Sequence, residues 1–432
     1  MISLRRNSGR PIGIDLFAGA GGLSLGFEQA GFDVAAAVEI DPVHCAVLEY
    51  NFPNCRTICA SVTDVSGDEI RARAGLQGKD IDVVFGGPPC QGFSMIGKRT
   101  LDDPRNSLVF HFVRLIRELQ PKYCVFENVK GLTLGLHTKF LTELIEELQG
   151  AGYSVLLPHR VLNAADYGVP QDRQRLFLLA ARSGMKLPSY PEPSGVRTTV
   201  WEAIGDLPDA ENFDILNRQD AVAVQWKTES SYGKQMRGMR TVSEDFGYPR
   251  NFDRNLLSSS LRTKHTDFSK KRFLKTGPGD TEPISRFHKL DPEGVCNTLR
   301  AGTDSARGAF TSPRPIHPFL PRVITVREAA RIHSYPDWFR FHVTKWHGFR
   351  QIGNSVPPLL GRSVATQIIK ALGIRPQKPS KPCPTGEPQL LQFDMRAASR
   401  FFEVRSDVIA QRLRKPSNRK RHRDEGTLLL FP

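Results

Sequence analysis

The sequence has few cysteines for its length and no long apolar run. Its 432 residues include seven cysteines, an odd number with no repeated Cys-x-x-Cys pair. This usage argues against a disulfide framework and makes reduced thiols the expectation. No apolar stretch approaches the length that spans a bilayer, and the basic start MISLRRNSGRP is followed by no apolar signal region. We therefore expect a cytoplasmic protein without membrane association.

One group of potential metal ligands is present near the N-terminus. His44, Cys45, Cys55 and Cys59 match no zinc spacing, and several fall on the apolar side of a predicted helix. We therefore predict no metal site.

Charge is distributed unevenly along the chain. The formal net charge is +15, yet residues 1–182 carry 19 Lys and Arg against 20 Asp and Glu, so the remainder carries +16. Such asymmetry predicts that the second part binds a polyanion while the first part has another task. A merely solubilising basic surface is the alternative.

The first 182 residues alternate short apolar runs with helical patterns. Strands are predicted at residues 12–17, 34–40, 81–85, 123–126 and 176–180, and helices at residues 23–30, 43–51, 108–119 and 141–151. This alternation is typical of an α/β protein with a doubly wound, mostly parallel sheet.

The alternation ends near residue 183. Residues 230–275 interleave six aromatic residues with eleven Lys and Arg, a pattern that suits a nucleic-acid surface, although the rings could equally form a small core. A helix is predicted from Thr325, which forms a capping box with Glu328, and Glu328 can also pair with Arg331. Periodicity returns at residues 356–372, and the chain after that is rich in Pro, Lys and Arg, which predicts a mobile basic tail.

The motif GGPPCQGFS at residues 86–94 sets Cys90 in a tight turn after a predicted buried strand. Ligands bind beyond the carboxyl ends of such strands, and a thiolate is a strong nucleophile. A buried structural cysteine is the alternative. The stiff turn and the neighbouring motifs favour the nucleophile.

The motif DLFAGAGG at residues 15–22 follows the first strand and opens a helix, with Ser24 where a dinucleotide loop has its third glycine. Glu39, 20 residues after Gly19, can accept hydrogen bonds from both hydroxyls of a ribose. The loop has no Lys or Arg to hold a pyrophosphate. These features favour an adenosine ligand without phosphates, and S-adenosylmethionine is the obvious candidate.

Two further motifs follow strand ends. YCVFENVKG places Glu127 beside the strand that leads to Cys90, where a shielded carboxyl group can have a raised pKa and donate a proton. A loop-capping hydrogen bond is the alternative role. QDRQR places Arg173 and Arg175 on one face, where they either hold a phosphate or a base carbonyl or are simple surface charges.

These motifs, together with YGVPQDRQRLFLLA, RVITVREAARIHSYPDWF and RQIGNSVPP, occur in order over residues 13–371. In this order and spacing they resemble the DNA (cytosine-5)-methyltransferases of bacterial restriction-modification systems. The resemblance implies the S-adenosylmethionine-dependent methyltransferase fold with a smaller, irregular, β-rich DNA-recognition domain. It implies a catalytic and cofactor-binding domain at 1–185, target recognition at 186–321, a bracing segment at 322–345, a returning final helix at 346–372 and a tail at 373–432.

The resemblance also implies roles for single residues. Cys90 adds to C6 of cytosine, Glu127 donates a proton to N3, and Arg175 with Arg173 orients the base. Ser61, with Asp64 three residues on, stands where the family usually has an Asp that accepts from the adenine amino group. The other implied cofactor contacts are Phe17, Gly19, Gly21, Gly22, Glu39, Ile40, Pro89, Leu108 and Asn354.

The implied partner is duplex DNA, from which the target base is turned out into the pocket. We expect a monomer that acts at the bacterial nucleoid, with a restriction endonuclease as a further partner. A tRNA cytosine-5 methyltransferase is an alternative, for which the C-terminal basic part is larger than needed. A non-catalytic DNA-binding regulator is another, against which the presence of Cys90 and Glu127 argues.

Overall fold

An eight-stranded sheet organises the first half of the chain. The computed structural model describes residues 9–89, 107–135, 137–226, 230–240, 242–302 and 314–409. The sheet has the order β3-β2-β1-β4-β5-β8-β6, and β7 also pairs with β8. Its strands are β1 (Ile12–Leu16), β2 (Asp33–Glu39), β3 (Arg56–Cys59), β4 (Val83–Gly86), β5 (Tyr123–Val129), β6 (Tyr153–Val155), β7 (Arg160–Asn163) and β8 (Gln174–Arg182).

The sheet is parallel from β1 to β5, whereas β8 runs antiparallel to β5 and pairs antiparallel with β6 and β7. The predicted α/β class with a mostly parallel sheet is therefore confirmed. All five predicted strands are present as β1, β2, β4, β5 and β8. The sequence pattern missed β3, β6 and β7, whose three or four residues show no clear period. Strand β4 is as short but was recognised through the apolar run at residues 81–85.

Twelve α-helices occur in the described part of the chain. They are α1 (Gly22–Ala30), α2 (Pro42–Asn51), α3 (Gly67–Ala74), α4 (Ser107–Leu119), α5 (His137–Gly150), α6 (Val200–Ile204), α7 (Ser231–Met236), α8 (Asp267–Lys275), α9 (Val326–Ile332), α10 (Lys345–Asn354), α11 (Pro358–Leu372) and α12 (Met395–Phe401). No described helix is both long and apolar enough to cross a membrane.

Helix α11 returns to the first domain and packs along α1. The two backbones approach closely at Gly26, where a Cβ atom would lie 2.7 Å from the carbonyl carbon of Gly361. Only glycine at this crossing leaves room for the two helices to touch. The periodic segment at residues 356–372 thus contains helix α11, which packs against the first domain through α1.

The segment 186–321 has little regular structure where it is described. Its strands are β9 (Val222–Ala223) and β10 (Leu256–Leu257), a two-residue antiparallel pair. The expected β-rich second domain is therefore not confirmed for these residues. Some of their buried apolar side chains form two small clusters, whereas others, including Tyr232, belong to the large core cluster that they share with the first domain. Of the interleaved aromatic residues, Tyr232 and Phe273 are buried, whereas Phe268 is 67% exposed.

Helix α9 begins with the predicted capping box between Thr325 and Glu328. The predicted pairing of Glu328 with Arg331 was wrong. Glu328 contacts Arg322 at 2.8 Å, and Arg331 contacts Asp206 at 3.0 Å. Every residue of α9 is buried, so each charged side chain needs a partner from another segment rather than an exposed neighbour one turn away.

Residues 373–409 are folded, so the expectation of a mobile tail from residue 373 was wrong for this part; residues 410–432 lie outside the described chain. Leu390 and Leu391 are buried against α2, and α12 packs on the same helix. The Gly386 N–H donates to the carbonyl oxygen of Tyr50 at 2.7 Å. Composition indicated disorder because two buried leucines in a chain rich in Pro and Lys produce no periodic signal.

Candidate active site

A cavity of about 770 Å³ lies at the carboxyl ends of the parallel strands. Strand β1 has β2 on one side and β4 on the other, so the winding of the chain reverses here, which is where α/β sheets bind ligands. The lining includes eleven of the residues that the sequence singled out: Phe17, Gly19, Glu39, Ile40, Ser61, Pro89, Leu108, Glu127, Arg173, Arg175 and Asn354.

Three other candidates are not among the described lining residues. Gly21 has a left-handed backbone conformation, with φ 90°, and is the N-cap residue of helix α1. A Cβ atom on Gly22 would lie 2.4 Å from the carbonyl oxygen of Val356, so Gly22 lets α1 pack closely. Cys90 lies outside the described residues, which stop at Pro89 on the cavity wall.

Glu39 holds the glycine loop, which we define as residues 17–22. Its Oε2 accepts from the Gly19 N–H and its Oε1 from the Asp41 N–H, both at 2.8 Å. Phe17 adopts a left-handed φ of 67°, a conformation that costs a non-glycine residue roughly 1–3 kcal/mol and is concentrated at functional sites. The loop is therefore fixed by an acidic side chain rather than by its own contacts alone.

Asp15 is a buried acid whose role the sequence pattern did not reveal. Its Oδ2 accepts from the Ser24 hydroxyl at 2.5 Å, so the residue at the third glycine position has a specific partner. Burial raises the pKa of Asp15 to about 8, and the charge of Glu39 adds to this rise. Asp15 is therefore protonated in the folded protein over much of the neutral range.

Replacing Asp15 by asparagine should change the pH dependence of stability. The unfolded pKa is 3.8 and the folded pKa about 8, so the stability that Asp15 contributes is full below the unfolded value and is lost as the pH rises towards about 8. Asparagine does not ionise, so the variant does not lose stability in this way. In thermal unfolding, the melting temperature of Asp15→Asn should rise relative to that of the parent between about pH 5 and about pH 7.5. The exposed control Asp64→Asn should show no such trend, and a pH-independent difference for Asp15→Asn would contradict the assignment.

Ser61 places a hydroxyl group in the cavity wall where the similar family usually has an acid. Its Oγ lies 2.7 Å from the Thr63 hydroxyl oxygen, and Thr63 in turn donates to Asp64 Oδ1 at 2.7 Å. Asp64 is exposed and does not belong to the described lining. Asp64 is thus linked to Ser61 through Thr63 and does not itself take the place in the cavity wall where the similar family has an acid.

Glu127 and Arg175 form a buried pair on the opposite wall. Glu127 is 9% exposed, and its Oε1 lies 3.0 Å from Arg175 Nε. Because Glu127 lies opposite Phe177 in the antiparallel register, Arg175 is its diagonal neighbour on the same face. Burial raises the pKa of Glu127, and the positive charge of Arg175 partly offsets this rise. The carboxyl group can therefore hold a proton at a fixed position.

The segment that leads to Cys90 is held against β5. The Asn128 side-chain N–H donates to the carbonyl oxygen of Pro88 at 3.0 Å. A Cβ atom on Gly87 would lie 2.3 Å from Glu127 Oε2, so only glycine leaves the carboxyl group where it is.

Arg173 also lines the cavity, but its guanidinium group donates hydrogen bonds to backbone carbonyl oxygens. Nη1 donates to the carbonyl oxygen of Leu299, and Nη2 donates to those of Gly353 and Ser355, all at 2.8 Å. Arg173 therefore ties its own segment to two others, at Leu299 and at residues 353–355, whereas Arg175 contacts the candidate acid. The two arginines are two residues apart but have different surroundings.

Some lining residues carried no recognisable signal in the sequence, among them Thr298, Leu299, Arg300, Ala301, Val408 and Ile409. The segment at residues 298–301 reaches the cavity because the Leu299 carbonyl oxygen accepts from Arg173. No group of three or more His, Cys, Asp or Glu in the described chain is placed to hold a metal ion.

Comparisons with known proteins agree on one family. Residues 13–370 match the sequence profile described as C-5 cytosine-specific DNA methylase. The type II methyltransferase M.XorII of Xanthomonas oryzae pv. oryzae is 62% identical over 419 residues, covering 96% of this chain and 99% of that protein. The type II methyltransferase M1.HphI of Haemophilus parahaemolyticus is 37% identical, covering 83% and 86%.

A solved structure supports the same grouping. The crystal structure of a prophage-encoded E. coli protein described as a DNA modification methyltransferase has a TM-score of 0.71 and 34% identity, covering 84% of this chain and 99% of that chain. A methyltransferase of Entamoeba histolytica, at 17% identity and a TM-score of 0.56, has the same fold.

Proposed function

Because this chain belongs to the C-5 cytosine-specific DNA methylase family, we propose that it methylates C5 of a cytosine in a specific duplex sequence, using S-adenosylmethionine and turning the base out of the helix. One observation carries the proposal. The Glu127–Arg175 pair is buried in the wall of the cavity that also contains the glycine loop. A proton donor and a nucleoside site therefore share one pocket.

The lining residues fit S-adenosylmethionine. Asp41 Oδ2 and His44 Nε2 are buried without a hydrogen-bond partner in the described chain. They lie 3.7 Å apart, and Arg350 Nη1 lies 3.5 Å from Asp41 Oδ2, so these groups form ion pairs that are too long for good hydrogen bonds. Such atoms need polar partners from a ligand or water. A Cβ atom on Gly19 would meet nothing within 4 Å, so the loop leaves open space. Glu39, Ile40 and Ser61 would hold the adenosine part.

In the proposed reaction, Cys90 forms a bond from its sulfur to C6 of the cytosine while Glu127 gives a proton to N3. The electron pair released towards C5 makes that carbon nucleophilic. S-adenosylmethionine, when bound, supplies the electrophilic methyl group. Loss of the C5 proton to water then expels the Cys90 thiolate, N3 returns its proton to Glu127, and the ring is restored. Arg175 donates to the base carbonyl and keeps Glu127 in place.

Substituting alanine at Gly87 should disturb this chemistry without touching a reacting group. The new Cβ atom would lie 2.3 Å from Glu127 Oε2 and push the carboxyl group aside. We expect kcat to fall by about 100-fold, because a displaced proton donor loses most of its effect. Gly131→Ala is the matched control, since its Cβ atom meets only one atom, at 3.9 Å. Equal kcat values for both variants, measured as methyl transfer to DNA, would contradict the proposed position of Glu127.

The basic second part of the chain would hold the DNA. It carries the whole positive excess, whereas the domain with the cavity is nearly neutral. Lys and Arg side chains there would contact phosphates and base edges and offset the few kcal/mol that turning out a base costs. The proposal includes a monomeric enzyme in the bacterial cytoplasm, acting at the nucleoid, with an endonuclease of the same specificity as a further partner.

Transfer of labelled methyl groups tests the function directly. The purified chain and labelled S-adenosylmethionine are incubated with duplex DNA of random sequence or with tRNA. We expect label in DNA only, and bisulfite sequencing of the product should give a single target sequence. Label in tRNA alone, or no label in either, would overturn the proposal.

A further inference from the structure

The segment at residues 374–409 lies beyond the region that matches the family profile, yet it is built into the cofactor side of the molecule. The Gly386 N–H donates to Tyr50 O at 2.7 Å at the end of α2. The Val343 N–H donates to Leu391 O at 3.0 Å. The segment is therefore anchored both to the first domain and to the chain that precedes α10.

The same segment supports the glycine loop. Leu390 and Leu391 are buried in an apolar cluster with Ala46 and Val47 of α2 and with Ala20 of the glycine loop. A cluster of this kind resists movement because each displaced side chain would expose apolar surface or leave a void. Leucines from outside the family region thus share one buried cluster with the loop that faces the cavity.

The described segment ends at the cavity itself. Val408 and Ile409 are half-buried and line the cavity. Helix α2 begins at the same cavity, where Asp41 and His44 belong to the lining, and α12 packs along this helix. The chain after α12 therefore reaches the cavity from the side of α2, where the adenosine part of the ligand would lie.

Ile40 gives this side of the cavity an apolar surface. Its side chain is 40% exposed although it lies in the cavity wall at the end of β2. The faces of a purine ring pack well on aliphatic side chains, and an aliphatic surface on a second side would exclude water from the ring.

We propose that residues 390–409 form a cap on the cofactor site, in which Leu390 and Leu391 hold the glycine loop and Val408 and Ile409 contact the adenosine part of S-adenosylmethionine. The inference rests on the proposed function, since it takes the cavity to bind that cofactor. Val408 and Ile409 are then cofactor-binding residues that the family region does not contain.

The test uses the full chain with the double substitution Val408→Ala and Ile409→Ala. Titration calorimetry with S-adenosylhomocysteine should give a Kd about five- to tenfold higher than that of the parent, because buried methyl groups are lost from the contact. The KM for S-adenosylmethionine should rise by a similar factor while kcat at saturating cofactor stays within about twofold of the parent. The control is Arg405→Ala with Asp407→Ala, which removes an exposed ion pair from the same segment. It should bind like the parent.

Adenosine as a competitor locates the contact. If Val408 and Ile409 touch the adenosine part, the affinity of the double variant for adenosine should fall by the same factor as its affinity for S-adenosylhomocysteine. A parent-like Kd in the double variant, an unchanged adenosine affinity, or an equal loss in the control would overturn the cap. A parent protein that binds no S-adenosylhomocysteine would overturn the proposed function itself, which separates the two failures.

Discussion

Cys90→Ser is expected to transfer methyl groups slower than the parent by a factor on the order of 10⁴ or more, while binding duplex DNA with parent-like affinity. A serine hydroxyl is far less ionised than a thiol and is a weaker nucleophile towards C6. Without the sulfur adduct, C5 gains no electron density, and the aromatic ring does not attack the methyl group. The loss should therefore be almost entirely in kcat.

Two measurements make this prediction specific. With DNA that carries 5-fluorocytosine at the target, C5 has no proton to lose, so the parent should remain covalently attached to DNA in a denaturing gel and Cys90→Ser should not. Cys383→Ser is the matched control, because this cysteine is buried beside Asn54 in another part of the molecule. Turnover in Cys90→Ser within about tenfold of the parent would contradict the covalent mechanism.

Glu127→Gln is expected to lower kcat by about 10²- to 10³-fold with little change in cofactor affinity. Glutamine keeps the shape of the side chain and can still accept a hydrogen bond from Arg175, but it has no acidic proton to deliver to N3. Burial raises the pKa of Glu127, so the parent carboxyl group is protonated more readily than an exposed one. Single-turnover methylation at saturating cofactor and DNA measures the loss.

The control for this substitution is Glu146→Gln, which changes an exposed carboxyl group on α5. It should leave kcat unchanged. Calorimetry with S-adenosylhomocysteine should give Kd values close to that of the parent for both variants. If Glu127→Gln instead weakened cofactor binding and left kcat intact, Glu127 would belong to the cofactor site rather than to proton transfer.

The strand ends show how far local sequence reasoning reaches. Glu39 and Glu127 were placed at the ends of predicted strands, and both line one cavity. This worked because apolar runs of strand length specify the strands, and parallel strands bring their carboxyl ends to one edge. The glycine loop lies at that edge for the same reason.

Charged side chains in the interior show where such reasoning stops. Arg173 and Arg175 look equivalent in QDRQR, yet Arg173 bonds to carbonyl groups that lie 126 to 182 residues away. Glu328 pairs with Arg322 instead of Arg331 because helix α9 is buried. A buried charge takes the partner that the fold brings to it, and no spacing along the chain specifies that partner.

By itself, the sequence determined the α/β class, the positions of the main strands along the chain and the motifs that line the cavity, because each depends on residues close together in the chain. Only the tertiary structure decided the pairing of Glu127 with Arg175, the clamping role of Arg173 and the folding of residues 373–409 onto α2. These depend on contacts between distant segments, whose free energy comes from burial and from satisfying buried polar groups. Both become defined only when the chain is packed.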